Sequence, residues 1–317
     1  MHFQMAPMHI PDGFLSTLVS LGLWALSLVA VGFSLRQVGR QLDQRQVPLM
    51  GVLAAAVFAG QMLNFAVAGG TSGHLLGAAL ATILIGPWAA VVVMTTVVSI
   101  QALVFQDGGL LSLGANLFNM AIIGTTVAYF VYTSIRKLAA EKPWGLFVGG
   151  VAAAWASIVA AAFACALELA LSGTSPANIA VPTMGGIHML IGVGEALITF
   201  GALAFLHTAR RDLFRHDPKA FSPGALAYLF GLGFALLLAI LSPIASASPD
   251  GLEWVAAQNG YLDAIREPIY QLIPDYLFPG ISNRALATVA AGITGTLLVF
   301  GAAVGVAYLH RTKSPNS

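Results

Sequence analysis

Charge is the first thing this sequence does without. Lys, Arg, Asp and Glu make up 9% of its 317 residues, while hydrophobic residues make up 58%. Soluble domains are about a quarter charged, so a chain this poor in charge is expected to be a polytopic membrane protein with little soluble mass. The net charge of +1 offers no basic field for nucleic acid, and none is expected as a partner. Cysteine is nearly absent as well. Cys165 stands alone in an apolar run, which excludes a disulfide framework or a thiolate metal cluster within one chain. No Gly-x-x-x-x-Gly-Lys-Ser/Thr loop occurs, so any ATP must be hydrolysed by another chain. The sequence also lacks a His-Glu-x-x-His helix and a recognisable nucleophile–base pair, so no enzyme is expected. Carboxylates inside the apolar runs are limited to Glu168 and Glu195, few for a carrier driven by protons or sodium.

What the sequence does have is apolar runs of membrane length. They are Leu15–Leu35, Val47–Ala68, Leu75–Phe105, Leu113–Ile135, Trp144–Leu171, Ile187–Leu206, Ala225–Ile244 and Leu286–Leu309. About 20 residues at about 1.5 Å rise cross a hydrocarbon core of about 30 Å. The first run is a full span without the charged leader and cleavage site of a secretory signal, so no cleavage is expected there. The third run is too long for one crossing and contains Gly86-Pro87-Trp88. Basic clusters at 36–45, 136–142 and 210–219 and the basic C-terminus should all be cytoplasmic. That agreement requires the third run to pass an even number of times, either as two short helices turning at Gly86-Pro87 or as a re-entrant pair.

The expected fold is therefore all-α and polytopic, with about nine hydrophobic segments, the N-terminus outside and the C-terminus cytoplasmic. A boundary near residue 222 divides a seven-segment unit, 8–222, from a helix–loop–helix unit, 223–317. The loop of that second unit, about 245–284, is the only sizeable soluble piece and is mildly acidic; like the loops at Asp107-Gly108-Gly109 and Ser172–Pro182, it is expected on the extracytoplasmic side. It serves either to gather cations or to hold the first unit's loops in place.

On this map Met8-His9 and His74 face the same, extracytoplasmic side. An N-terminal Met-His pair is a chelator. A free α-amine, the deprotonated main-chain nitrogen of the second residue and its imidazole form adjacent rings around one ion. A second imidazole, from His74, completes four nitrogens in a plane, a geometry that favours Ni(II) or Cu(II). An ordinary terminal amine titrates at about pH 7.7–8, so it yields its proton to a metal at little cost near neutrality. As numbered, Met1–Pro7 precede the pair. Either translation starts at Met8 and residues 1–7 are a mis-called start, or Met1-His2 serves instead. The first is preferred, because Ile10-Pro11-Asp12-Gly13 follows Met8-His9 and nothing similar follows Met1-His2.

These motifs carry a resemblance. Met8-His9-Ile10-Pro11-Asp12-Gly13, Ser72-Gly73-His74-Leu75 with Gly86-Pro87-Trp88, and the stretch from His188 to Thr199 resemble the substrate-binding M component of cobalt/nickel energy-coupling-factor transporters of the ABC class. Ser248-Pro249-Asp250-Gly251-Leu252-Glu253-Trp254 resembles the accessory N component of the nickel branch, known for its Pro-Asp-Gly-Leu-Glu segment. The resemblance implies an M–N fusion in a prokaryotic cell membrane, binding metal through Met8, His9 and His74. It implies capture of Ni(II), with Co(II) as runner-up, for ATP-driven uptake. It implies as partners a transmembrane coupling subunit of the T or Q type and two cytoplasmic ATPases, and no resident cofactor. An ion-coupled secondary carrier of divalent metals is the alternative from another class.

Several polar residues inside the runs remain. His188 and Glu195 are seven apart and share a helix face; His188 is a candidate to orient a ligand, and Glu195 to pair with backbone or hydroxyl groups. Gln61 and Asn64 lead into the His74 loop and are candidates to hydrogen-bond its backbone. Asn116 and Asn119 read as interhelical hydrogen-bonding residues. The small residues Ala54, Ala55, Ala56 and Gly60 allow close helix approach, either within the chain or against a coupling subunit.

Overall fold

The computed structural model describes residues 8–41, 46–210, 214 and 225–310. The extension Met1–Pro7, the basic residues Arg45, Arg211, Arg215, Lys219, Arg311 and Lys313, and the expected boundary near residue 222 lie outside the described residues.

In chain order the helices are α1 (Thr17–Gln41), α2 (Val47–Gln61), α3 (Ala78–Ile85), α4 (Pro87–Ile100), α5 (Leu113–Asn116), α6 (Gly124–Leu138), α7 (Pro143–Leu171), α8 (Ala177–Ala209), α9 (Ala225–Leu241), α10 (Gly251–Asn259) and α11 (Arg284–His310). Wider π turns extend α4 through Gln101–Phe105 and join α5 to α6 through Leu117–Ile123. A short antiparallel hairpin pairs Phe65–Ala66 with Ser72–Gly73.

Among the described residues seven helical stretches are long and apolar enough to cross a membrane, against the nine hydrophobic segments expected. The other two segments are helical but short. α2 stops at Gln61 after 15 residues, because the remainder of its apolar run goes into the hairpin. α3 has eight residues, which at 1.5 Å each make about 12 Å and fall well short of a bilayer core. The break between α3 and α4 falls at Gly86-Pro87 as expected. Gly86 takes φ of +79°, open to glycine at little cost, and Pro87 opens α4 where its missing N–H has no partner to lose. α8 begins at Ala177 rather than Ile187 and runs through Pro182. The lost i→i−4 bond is tolerated because α8 is packed along the length of α7.

Helix association in a membrane rests on close packing and buried hydrogen bonds. α1 uses a serine stripe: Ser20, Ser27 and Ser34 are buried, and Ser27 donates to the Gly114 carbonyl at 2.7 Å. α2 packs against α9 and α11, and Ala54 and Ala55 are fully buried, so this small-residue stretch serves internal packing. A Cβ on Gly295 of α11 would lie 2.2 Å from Cζ of Phe58 and 2.7 Å from Cζ of Phe105. The two expected units therefore share one apolar core.

The loops expected on the outer side meet at one end of the bundle. Ser112 N–H donates to Asp12 Oδ1 (2.9 Å), Arg266 N–H to the Asp12 carbonyl (2.8 Å) and Ser246 N–H to the Asn64 carbonyl (2.8 Å). Thr174 Oγ1 donates to the Phe14 carbonyl.

Gly295→Leu drives a side chain into the Phe58–Phe105 contact and is expected to cost about 1–3 kcal/mol. Its control is Gly301→Leu, on the same helix, where a Cβ meets nothing within 4 Å. Thermal unfolding of the purified protein should show a lower midpoint for the first variant only.

Candidate metal-capture site

His9 lies in an irregular, bent segment whose main chain is held by side chains. Asn116 clamps the next residue from both sides: its Oδ1 accepts from Ile10 N–H at 3.0 Å and its Nδ2 donates to the Ile10 carbonyl at 3.1 Å. Ser112 Oγ donates to the Pro11 carbonyl at 3.0 Å. These bonds satisfy main-chain groups that an irregular segment cannot pair within itself. His9 itself is buried, 3% exposed. Its N–H donates to Asp107 Oδ1 at 3.2 Å, and its Nδ1 lies 3.3 Å from the Asp107 carbonyl and 3.5 Å from Asp107 Oδ1. Its Nε2 is buried without a partner.

His74 follows the hairpin and is held from two sides. Gln61 Nε2 donates to the Leu76 carbonyl at 2.9 Å. The fully buried Glu195 accepts from Leu76 N–H at 2.7 Å and from Gly77 N–H at 3.0 Å. One carboxylate thereby satisfies two donors at the start of α3, where a helix leaves its first N–H groups free. Nδ1 of His74 lies 3.1 Å from the Leu75 carbonyl, which fixes a proton there and leaves the Nε2 lone pair available. Burial first, and then the neighbouring His9, pull the His74 pKa down to about 4, against smaller upward pulls from the Leu75 carbonyl and Asp107. The ring is therefore neutral near pH 7, the form in which imidazole binds metals.

The two loops bring His9 and His74 together across 64 intervening residues. Their ring centroids are 5.6 Å apart with planes at 86°. Both face a cavity of about 90 Å³ that is also lined by Met8, Cys165, His188 and Asp250. Among the described residues no three His, Cys, Asp or Glu side chains converge as a ready-made metal cluster.

The other expected site residues fall as follows. His188 lies on the cavity wall, with Nδ1 2.8 Å from the Met184 carbonyl of its own helix. Glu195 and Gln61 bind the main chain beside His74. Asn64 does not bind that loop through its side chain: its Oδ1 is buried without a partner, and its carbonyl receives Ser246 N–H. Asn119 donates to Glu168 at 2.8 Å, linking two helices as expected.

Sequence reasoning missed Asp107, Asn116 as a main-chain clamp, and the wall built by the accessory loop. Ser72 N–H donates to the Pro249 carbonyl at 2.7 Å, Ser72 Oγ to the Ser248 carbonyl at 2.8 Å, and Trp254 Nε1 to the Gly69 carbonyl at 3.2 Å. Gly251 passes so close to His188 that a Cβ would lie 2.9 Å from Cε1. Asp250 faces the cavity but commits its Oδ1 to capping α10 through Glu253 N–H at 2.7 Å, and burial pushes its carboxyl well above the usual range. Of the two roles considered for this loop, holding the first unit's loops is the one with bonds to support it. The acidic residue followed by two glycines at 107–109 was the one available signal for Asp107, and nothing in the sequence ties it to His9.

Comparison with known proteins identifies the family. The family described as cobalt uptake substrate-specific transmembrane region matches residues 9–213, and the PDGLE domain matches residues 226–312. An Archaeoglobus fulgidus protein provisionally named fused nickel transport protein NikMN is 37% identical, covering 96% of this chain and 100% of that one. The cobalt transport protein CbiM of Sorangium cellulosum is 36% identical, covering 69% of this chain and 100% of its own. A truncated transition metal transporter known from its crystal structure is similar at 35% identity and a TM-score of 0.56, covering 63% of this chain and 99% of that one. The chain is thus a multi-pass membrane protein and not an enzyme, and it belongs to the family of substrate-specific membrane components of cobalt/nickel transporters, in the form fused to a PDGLE domain.

Proposed function

We propose that this chain captures Ni(II) on the extracytoplasmic side of the membrane for ATP-driven uptake, with Met8, His9 and His74 as ligands. The observation that carries the reading is the aim of His9. Its main-chain nitrogen and its Nδ1 converge on a single oxygen, Asp107 Oδ1, with the His74 ring beside them. When an ion binds there, the main-chain N–H proton passes to the Asp107 carboxylate, and both nitrogens grip the ion in one ring. The α-amine of a chain starting at Met8 adds a second ring, and Nε2 of His74 supplies the fourth nitrogen. Four nitrogens in a plane suit Ni(II). Binding at Nδ1 moves the imidazole proton to Nε2, which has no other partner to lose. The same donors accept Co(II), which is the runner-up.

The remaining parts fit this role. Residues 8–222 form the capture unit, with the N-terminus outside. Residues 223–317 form the accessory unit, with the C-terminus in the cytoplasm. Glu195 and Gln61 set the loop that carries His74, and His188 completes its surroundings. With no nucleotide-binding loop in the sequence, energy comes from two ATPases acting through a transmembrane coupling subunit.

His9→Ala and His74→Ala each remove one arm of the chelate and are expected to weaken nickel binding by about 100-fold or more, the loss of a metal–ligand contact. Equilibrium dialysis on the folded, membrane-extracted protein checks this; nickel binding at the unaltered level in either variant sinks the site. Intact mass of protein made from its native upstream region should show a chain starting at Met8 with one nickel. A chain retaining residues 1–7 and still holding one nickel would move the chelate away from the Met8 amine. Nickel uptake into cells should require the coupling and ATPase subunits, and uptake by this chain alone would identify a secondary carrier instead.

A further inference from the structure

One segment of the accessory loop does more than line the site. Residues 270–276 run along the π turn that closes α4. Tyr270 O–H donates to the Leu103 carbonyl at 2.8 Å, Ile273 N–H to the Val104 carbonyl at 3.0 Å and Leu272 N–H to Gln106 Oε1 at 3.1 Å. The two carbonyls lie at the end of a helix, where acceptors lack partners within the helix itself. The segment finishes at Tyr276, whose O–H donates to Asp107 Oδ2 at 2.6 Å. The other oxygen of Asp107 is the one that faces His9. A phenol of the accessory unit thus stands two hydrogen bonds from His9, through one buried carboxylate.

Tyr276 is held in place with unusual firmness. Its ring stacks on Phe105 at 4.7 Å with planes 14° apart, and lies 6.1 Å from Phe58. Asp275 and Tyr276 both adopt left-handed backbone, with φ of +53° and +54°. Neither is glycine, and such strain persists only where surrounding contacts over-determine it. Here the ring stack and the bonds of residues 270–273 supply those contacts, and the result is a hydroxyl aimed at Asp107.

We propose that Tyr276 is a positioning residue for metal capture: by holding Oδ2 of Asp107 it aims Oδ1 at the main-chain nitrogen and Nδ1 of His9, and so presets the bite that receives the ion. The proposal rests on the reading of His9 as a ligand. A carboxylate bound at both oxygens has one orientation. Without the phenol, Oδ2 of a residue only 4% exposed has lost its partner, and the carboxylate turns to find another.

Tyr276→Phe keeps the ring stack and removes only the O–H. Nickel binding to the full chain in detergent, the absorption bands of the bound nickel and the thermal midpoint are measured together. Tyr276→Phe should bind nickel about tenfold more weakly, the effect of one hydrogen bond to a charged group. Its nickel bands should shift, while the midpoint stays within about 2 °C of the parent. Asp107→Asn should weaken binding too, and adding Tyr276→Phe to it should weaken it no further, because the phenol acts only through that carboxylate. Parental affinity and bands in Tyr276→Phe, or losses that multiply in the double variant, overturn the proposal and leave the capture reading intact. Failure of the parent chain to bind nickel or cobalt overturns both.

Discussion

Everything at the capture end depends on one constraint: buried irregular backbone must find its hydrogen-bond partners within the protein. The segments bearing His9 and His74 are not helices, so their N–H and C=O groups need outside help. Side chains supply it. Asn116 serves both sides of Ile10, Glu195 takes the N–H groups of Leu76 and Gly77, and Gln61 takes the Leu76 carbonyl. Each of these polar residues would be costly alone in apolar surroundings. Each is tolerated because the backbone it serves is just as much in need of a partner. The positions of the two histidines follow from that mutual satisfaction.

The same constraint explains the accessory unit's place. Its helices α9 and α11 pack against α2, and its loop lays main-chain carbonyls at 248 and 249 against Ser72. The hairpin that leads into His74 is two residues wide and has no stability of its own. It is held because a second unit covers it. Fusion of the two units in one chain makes that cover permanent, whereas separate subunits would lose association entropy to form it.

The site is also sparing in ligands. With one cysteine in the chain and no cluster of acidic and imidazole side chains among the described residues, the proposed site relies on nitrogen, including the nitrogen of the main chain. The ligands proposed for it suit ions that favour planar nitrogen ligation over hard oxygen-seeking ones. Burial keeps the His74 imidazole neutral, so it is ready to donate without first losing a proton.

The sequence by itself determined the class, the helical content and the break at Gly86-Pro87, because hydrophobic run length and the backbone limits of Gly and Pro are local properties. It also singled out Met8-His9 and His74 as candidates, since a Met-His pair at a chain terminus is a distinctive chelator. The tertiary structure alone decided the rest. The length of α2 was set by the hairpin, so its apolar run overstated it, whereas α3 is a short helix ending at Gly86 as expected. Asp107, the clamp role of Asn116 and the reach of Tyr276 come from segments about 100 to 270 residues from His9, and no local pattern encodes such pairings. Asp107 read as a loop acid beside two glycines. It became part of the site only when the fold placed it between a histidine main chain and a phenol.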